Sequence, residues 1–248
     1  MAARRGGSGL TAGGVRAPRP GLAMALVVGL AVAGNAATNV LLPAALYVPG
    51  AVLVALAAVL VAVRVGGCGA RDLGLARADL GAGLRLGVVA MAVVAVALAV
   101  GAALPATRQL FADRRVEEHS VAALLYATLV RIPLGTALLE ETLFRGVLLG
   151  LGLRRWAPRV AVAWSSALFG LWHVLPSGGL AAYNPAVGGL LHGPAGRLAV
   201  TAAAVAATAL AGVLFCWLRL RAGSLLAPWM LHVATNSFAY AAAWLLLS

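Results

Sequence analysis

Glu140 and Glu141 sit side by side in an apolar stretch, Leu138-Leu139-Glu140-Glu141-Thr142-Leu143-Phe144-Arg145-Gly146, with Arg145 one helical turn beyond Glu141. The chain has only seven acidic residues, and a carboxylate at the middle of a bilayer-spanning helix costs roughly 2.5–3.5 kcal/mol on insertion scales. Two adjacent carboxylates also repel, unless a cation or a shared proton relieves them. Two more polar pairs lie in later apolar runs. Phe169-Gly170-Leu171-Trp172-His173 puts Phe169 and His173 on one helical face, and His232-Val233-Ala234-Thr235-Asn236 does the same for His232 and Asn236. A carboxylate in a low-dielectric site suits general-base work on water near neutral pH, and a neighbouring histidine can share and orient that water. A second histidine with an asparagine amide supplies donors to a developing oxyanion. The set describes hydrolysis of an amide by activated water, with no covalent intermediate. No serine-centred nucleophile motif is present, and neither Cys68 nor Cys216 has a histidine at a suggestive spacing. Glu140, His173 and His232 are also an adequate zinc set. The H-E-x-x-H signature is absent, however, and Asn236 suits an oxyanion better than zinc, so the metal-free form is the expectation and zinc its alternative.

These residues need helices to carry them. The chain of 248 residues is 62% hydrophobic and 10% charged, with a mean hydropathy of +0.97. A soluble core of this size does not require so much apolar sequence, so the expected fold is all-α, a polytopic transmembrane helix bundle. Apolar runs fall at about 22–42, 50–63, 86–104, 120–153, 160–175, 198–218 and 224–247. The fourth is too long for one straight crossing and contains Pro133, which kinks it or divides it in two. The expected count is seven spans, or eight with that division. Depth follows from the flanking arginines at about 1.5 Å per residue: Glu140 lies about 21 Å from Arg154, His173 about 21 Å from Arg159, and His232 and Asn236 about 16 and 22 Å from Arg221. Three segments entering from one side thus bring their polar groups to a similar level.

All 19 basic residues are arginine, which together with the Ala, Val, Leu and Gly excess reads as the codon bias of a GC-rich bacterium. Their scatter between apolar runs is topological and excludes nucleic acid as the partner. Counted over seven spans, thirteen arginines fall on one side (4, 5, 16, 19, 64, 71, 77, 85, 154, 155, 159, 219 and 221) and four on the other (108, 114, 115 and 197). The expectation is a multi-pass protein of a bacterial plasma membrane with its N-terminus cytoplasmic. The first run resembles a signal peptide, but the long leader and the spans that follow favour an uncleaved anchor. The chain divides into an arginine-rich cytoplasmic leader (1–21), N-terminal transmembrane helices (22–119) and a catalytic transmembrane unit (120–247). Cys68 and Cys216 are too few and too far apart for a disulfide framework or a cysteine-based zinc site.

The ordered triple E-E-x-x-x-R, F-x-x-x-H and H-x-x-x-N, here Glu140-Glu141…Arg145, Phe169…His173 and His232…Asn236, resembles the CPBP family of intramembrane proteases. That family includes type II CAAX prenyl endopeptidases (Rce1-like) and bacteriocin-processing or immunity proteins of the Abi type. Gly223-Ser224-Leu225-Leu226-Ala227-Pro228 fits too, as does Asp72-Leu73-Gly74-Leu75, which resembles a segment often found ahead of the shared domain. The resemblance is strong over about 120–247 and weak before it. It implies that Glu140 activates water with His173 and that His232 and Asn236 stabilise the oxyanion. Glu141 and Arg145 would support the site through a buried ion pair, and Phe169 would shape the pocket. The implied substrate is a membrane-embedded or lipid-anchored peptide or protein, and the lipid bilayer is the other partner. Two other readings are a proton-coupled transporter, with Glu and His as relays, and a non-catalytic immunity protein. Arg131, outside the pattern, is expected to snorkel or to line the cavity. Trp172, Trp229 and Trp244 read as membrane or core aromatics without chemistry, His119 and His192 as solvated loop residues, and 178–196 as a flexible connection.

Overall fold

The computed structural model describes residues 17–111, 113–117, 119–178, 183–184 and 193–247. The leader arginines Arg4, Arg5 and Arg16, together with Glu118, His192 and most of the 178–196 connection, lie outside the described residues. Among those described, the chain is helical with no strand. Seven principal helices follow one another: α1 (Pro20–Leu41), α2 (Ala44–Arg64), α3 (Arg77–Ala103), α4 (Val121–Leu153), α5 (Pro158–Trp172), α6 (Gly193–Ala222) and α7 (Leu226–Leu247). All but α5 are long and apolar enough to cross a membrane. At 15 residues, α5 rises only about 22 Å, short of a hydrocarbon core of about 30 Å. The expected fifth span is therefore interrupted at His173, beyond which only a short helical turn, Val174–Ser177, follows. No division occurs at Pro133. There α4 continues in π register over Ala127–Ala137, a wider turn that accommodates a ring with no N–H to donate.

Small residues set how closely these helices approach. Lipid offers no hydrophobic gain for burying leucine, so close backbone contact through Gly and Ala holds a bundle together. One face of α2 buries Ala51, Ala55, Ala58 and Ala62, and α1 buries Ala23, Val27 and Ala31 into the same cluster. The contact of α3 with the start of α7 depends on Gly83 and Gly87, where a Cβ would run into Ser224 and Met230. The opposite faces carry exposed Leu53, Leu56 and Leu60 on α2 and Val89, Val93 and Val96 on α3, the surface offered to lipid.

The two ends of the bundle differ. At one end Arg154 pairs with Asp72 at 3.2 Å, the Arg19 amide donates to the Val65 carbonyl, and Arg219 Nη2 donates to the carbonyls of Arg71 and Asp72 at 3.0 and 3.1 Å. Asp72-Leu73-Gly74-Leu75 forms part of that latch. Gly74 ends the short helix Ala70–Leu73 with φ 72°, packs against the Arg219 guanidinium and accepts from the Leu225 amide at 2.9 Å. A side chain there would be strained and would strike Arg219, so glycine is what the site admits. The 65–79 segment thereby fixes where α7 begins. At the opposite end, His119 is exposed but not free: Nδ1 meets the Tyr240 hydroxyl at 2.5 Å, and its carbonyl accepts from Trp244 Nε1 at 2.6 Å. Trp244 is thus a tie between elements as well as an apolar ring. Likewise Trp229 Nε1 donates to the Pro133 carbonyl at 3.0 Å. Arg131 is exposed, with its guanidinium 4.6 Å from the centre of the Tyr47 ring.

Candidate active site

Three helices bring the polar groups together. Glu140, Glu141 and Arg145 come from α4, Phe169, Trp172 and His173 from the end of α5, and His232 from α7. All but His173 are buried. His173 Nε2 and His232 Nε2 lie 3.9 and 3.7 Å from the same oxygen, Glu140 Oε2. Both separations exceed a direct hydrogen bond, and Oε2 has no hydrogen-bond partner among the described residues. Two imidazoles and a carboxylate oxygen therefore face one point without satisfying one another.

Each of these groups is oriented from behind. His173 Nδ1 lies 2.8 Å from the Phe169 carbonyl. A carbonyl only accepts, so Nδ1 carries the proton, and in the neutral ring Nε2 presents its lone pair toward Glu140. His232 Nδ1 lies 2.7 Å from Glu141 Oε1, and the same oxygen accepts from Arg145 Nη1 at 3.1 Å. Arg145 is fully buried, and its guanidinium lies 3.9 Å from the centre of the Phe169 ring and 4.7 Å from that of Phe215. Phe169 also stands edge-on to His173, with ring centres 4.7 Å apart. One phenyl ring thus touches both the cation behind Glu141 and the imidazole in front of Glu140. Cation–π contact compensates a desolvated guanidinium whose Nε and Nη2 have no hydrogen bond among the described residues.

Asn236 makes no hydrogen bond to this cluster among the described residues. Its sole side-chain hydrogen bond among the described residues is from Thr235 Oγ1 to its Oδ1 at 3.5 Å, and its side-chain N–H groups are uncommitted. It lies in a π-register stretch, Ala234–Phe238, half-buried one turn beyond His232.

Sequence reasoning missed two polar groups. Trp172, read as an aromatic without chemistry, donates Nε1–H to Glu140 Oε1 at 3.0 Å. A buried indole N–H demands an acceptor, and that demand was the legible signal. Asn35 on α1 donates to the Trp172 carbonyl at 2.9 Å. Its signal was an amide in an apolar helix, four residues before Asn39. Beside them, a cavity of about 320 Å³ opens between α1, α4 and α5, lined by Val28, Asn35, Phe144, Leu148, Leu171 and Trp172 among others. Trp172 is shared between this apolar cavity and the carboxylate.

Among the described residues, no group of three or more His, Cys, Asp or Glu side chains is arranged to hold a metal ion. The donor chemistry of Glu140, His173 and His232 would suit zinc, with the two Nε2 atoms 3.9 and 3.7 Å from Glu140 Oε2. Cys68 and Cys216 are buried and unpaired. Burial, with Asp72 nearby, pushes the Cys68 thiol above its ordinary range.

Residues 122–238 match the family described as Type II CAAX prenyl endopeptidase Rce1-like. No curated protein and no solved structure matches the chain.

Proposed function

We propose that this chain, whose residues 122–238 belong to the type II CAAX prenyl endopeptidase Rce1-like family, hydrolyses a peptide bond with water as the nucleophile. The family makes it a membrane protease, and six apolar helices long enough to span among the described residues make it multi-pass. The substrate is then a membrane-embedded or lipid-anchored peptide or protein. The observation that carries the mechanism is the convergence of two Nε2 atoms on the unpartnered Oε2 of Glu140, at 3.7 and 3.9 Å.

In this reading a water molecule bridges Glu140 Oε2 and His173 Nε2. Glu140 takes one proton as the water oxygen attacks the carbonyl carbon, giving a tetrahedral intermediate. In its imidazolium form His232 donates Nδ1–H to the Glu141 carboxylate and Nε2–H to the oxyanion. The uncommitted Asn236 amide is the second donor. Collapse of the intermediate breaks the C–N bond, and the proton on Glu140 passes to the leaving amine. The products are a new carboxyl terminus and a new amino terminus. Phe169 and Arg145 keep Glu141 and both imidazoles in place without touching substrate. Zinc held by Glu140, His173 and His232 would be the alternative form of the same hydrolysis; the Asn236 amide, better suited to an oxyanion than to zinc, favours the metal-free form.

The test uses protein in liposomes and a membrane-tethered peptide whose cleavage is read by mass spectrometry. Glu140→Gln and His173→Ala each lower turnover by roughly 10²–10⁴-fold while the protein stays folded and membrane-inserted. Near-normal turnover by Glu140→Gln overturns the mechanism. Exhaustive chelation leaves the wild-type rate unchanged; loss of activity that zinc restores would assign the metal form.

A further inference from the structure

Trp172 and Asn35 are buried polar residues that take no part in the hydrolytic steps above. Their placement follows from a defect written into the sequence. The helical partner for the Trp172 carbonyl is the amide four residues on, and that residue is Pro176, which has no N–H. An amide from another helix, Asn35 Nδ2 on α1, donates to that carbonyl instead at 2.9 Å. The indole of the same residue then reaches from α5 to α4 and donates to Glu140 Oε1 at 3.0 Å. Phe144 stands edge-on to the indole at 5.6 Å and holds its plane.

A carboxylate can turn about its last C–C bond and offer either oxygen, or neither, to a reactant. Only a donor fixed on one oxygen decides which way it faces. With Oε1 committed to Trp172, Oε2 is the oxygen left facing both histidines.

We propose that Asn35 and Trp172 form a positioning relay that sets the plane of the Glu140 carboxylate, so that α1, outside the family-matched segment, completes the active site. The relay's effect on turnover rests on the protease reading; its effect on the carboxylate does not. A bulky tryptophan that only fills space beside the apolar cavity would tolerate phenylalanine without consequence for Glu140.

The test therefore has one readout independent of catalysis. Full-length protein in liposomes is treated with dicyclohexylcarbodiimide, which modifies carboxyls in apolar surroundings, and adducts on Glu140 and Glu141 are measured separately by peptide mass spectrometry. Trp172→Phe and Asn35→Leu each raise the Glu140 labelling rate several-fold and leave Glu141 unchanged. The double variant labels no faster than Trp172→Phe alone, as expected of two groups acting in series. An unchanged Glu140 rate overturns the relay, and so does an equal rise on Glu141, which reports a loosened bundle. On a membrane-tethered peptide, Trp172→Phe lowers kcat about tenfold with KM held within about twofold, as for loss of an interaction to a charged group that substrate does not touch. Absence of any Glu140-dependent cleavage by wild type overturns the protease reading while the labelling still decides the relay. A labelling response without a change in kcat overturns the catalytic part of the inference.

Discussion

The pair Glu141–Arg145 illustrates how a charge is made tolerable at the centre of a bundle. Arg145 gives one N–H to Glu141 Oε1, its face to Phe169, and leaves Nε and Nη2 without hydrogen bonds. Such a pair stabilises little on balance, because desolvating both ions offsets their attraction, yet removing one partner strands the other. Arg145→Met therefore destabilises the protein by about 3–5 kcal/mol, read as a lowered midpoint of thermal unfolding in detergent. Pairing it with Glu141→Gln recovers most of that loss, since no bare charge remains. The same double variant stays slow in peptide cleavage, because His232 Nδ1 has lost the carboxylate that orients it at 2.7 Å. Recovery of stability together with turnover would reduce Glu141 to a packing residue.

At the scale of elements, the site depends on how deeply the end of α5 is driven into the bundle. Gly170 lies between Phe169 and His173 in the chain, and a Cβ there would stand 2.7 Å from the Val205 carbonyl and 2.9 Å from the Ala209 side chain on α6. Those are backbone and near-backbone atoms that cannot swing aside. Gly170→Ala pushes α5 off α6, costing about 1–3 kcal/mol. It also shifts His173, so turnover falls more than the loss of folded protein accounts for; cleavage measured per folded molecule checks this. The residues that meet in this cluster were legible in the sequence because a polar group in an apolar run has few uses. Glu140, His173 and His232 stand out by type and by depth, and the bundle brings the two Nε2 atoms to 3.9 and 3.7 Å from Glu140 Oε2. What was not legible depends on length and register. An apolar run at 160–175 looks like a span, whereas capping at Ala157–Pro158 and termination at His173 leave 15 residues of helix. Similarly, Pro133 signals a break only if the turns around it stay in α register, and they widen instead. Contacts such as Asn35 to Trp172, 137 positions apart, have no local signature at all.

For the whole molecule, charge and packing give the same division into two ends. Arg19, Arg64, Arg71, Arg77, Arg154, Arg155, Arg219 and Arg221 lie in segments joined by the Arg154–Asp72 pair and the Arg219 latch, whereas the His119–Tyr240 contact belongs to the other end. Arginine retained on the cytoplasmic face predicts which end stays inside, and single-cysteine labelling tests it with little background. Cys216 is fully buried, and Cys68 is buried with its thiol held above the ordinary range, so its reactive thiolate is scarce at neutral pH and grows only as pH rises beyond that range. The unmodified protein should therefore take up little maleimide at pH 7 and more at alkaline pH. Against that blank, cysteines at the exposed positions Ala70 and Ala106 report opposite ends. In intact cells a membrane-impermeant maleimide labels Ala106→Cys and leaves Ala70→Cys untouched until the membrane is opened. The reverse pattern would put the arginine latch outside, and the depth of Glu140 would then have to be counted from the outer face.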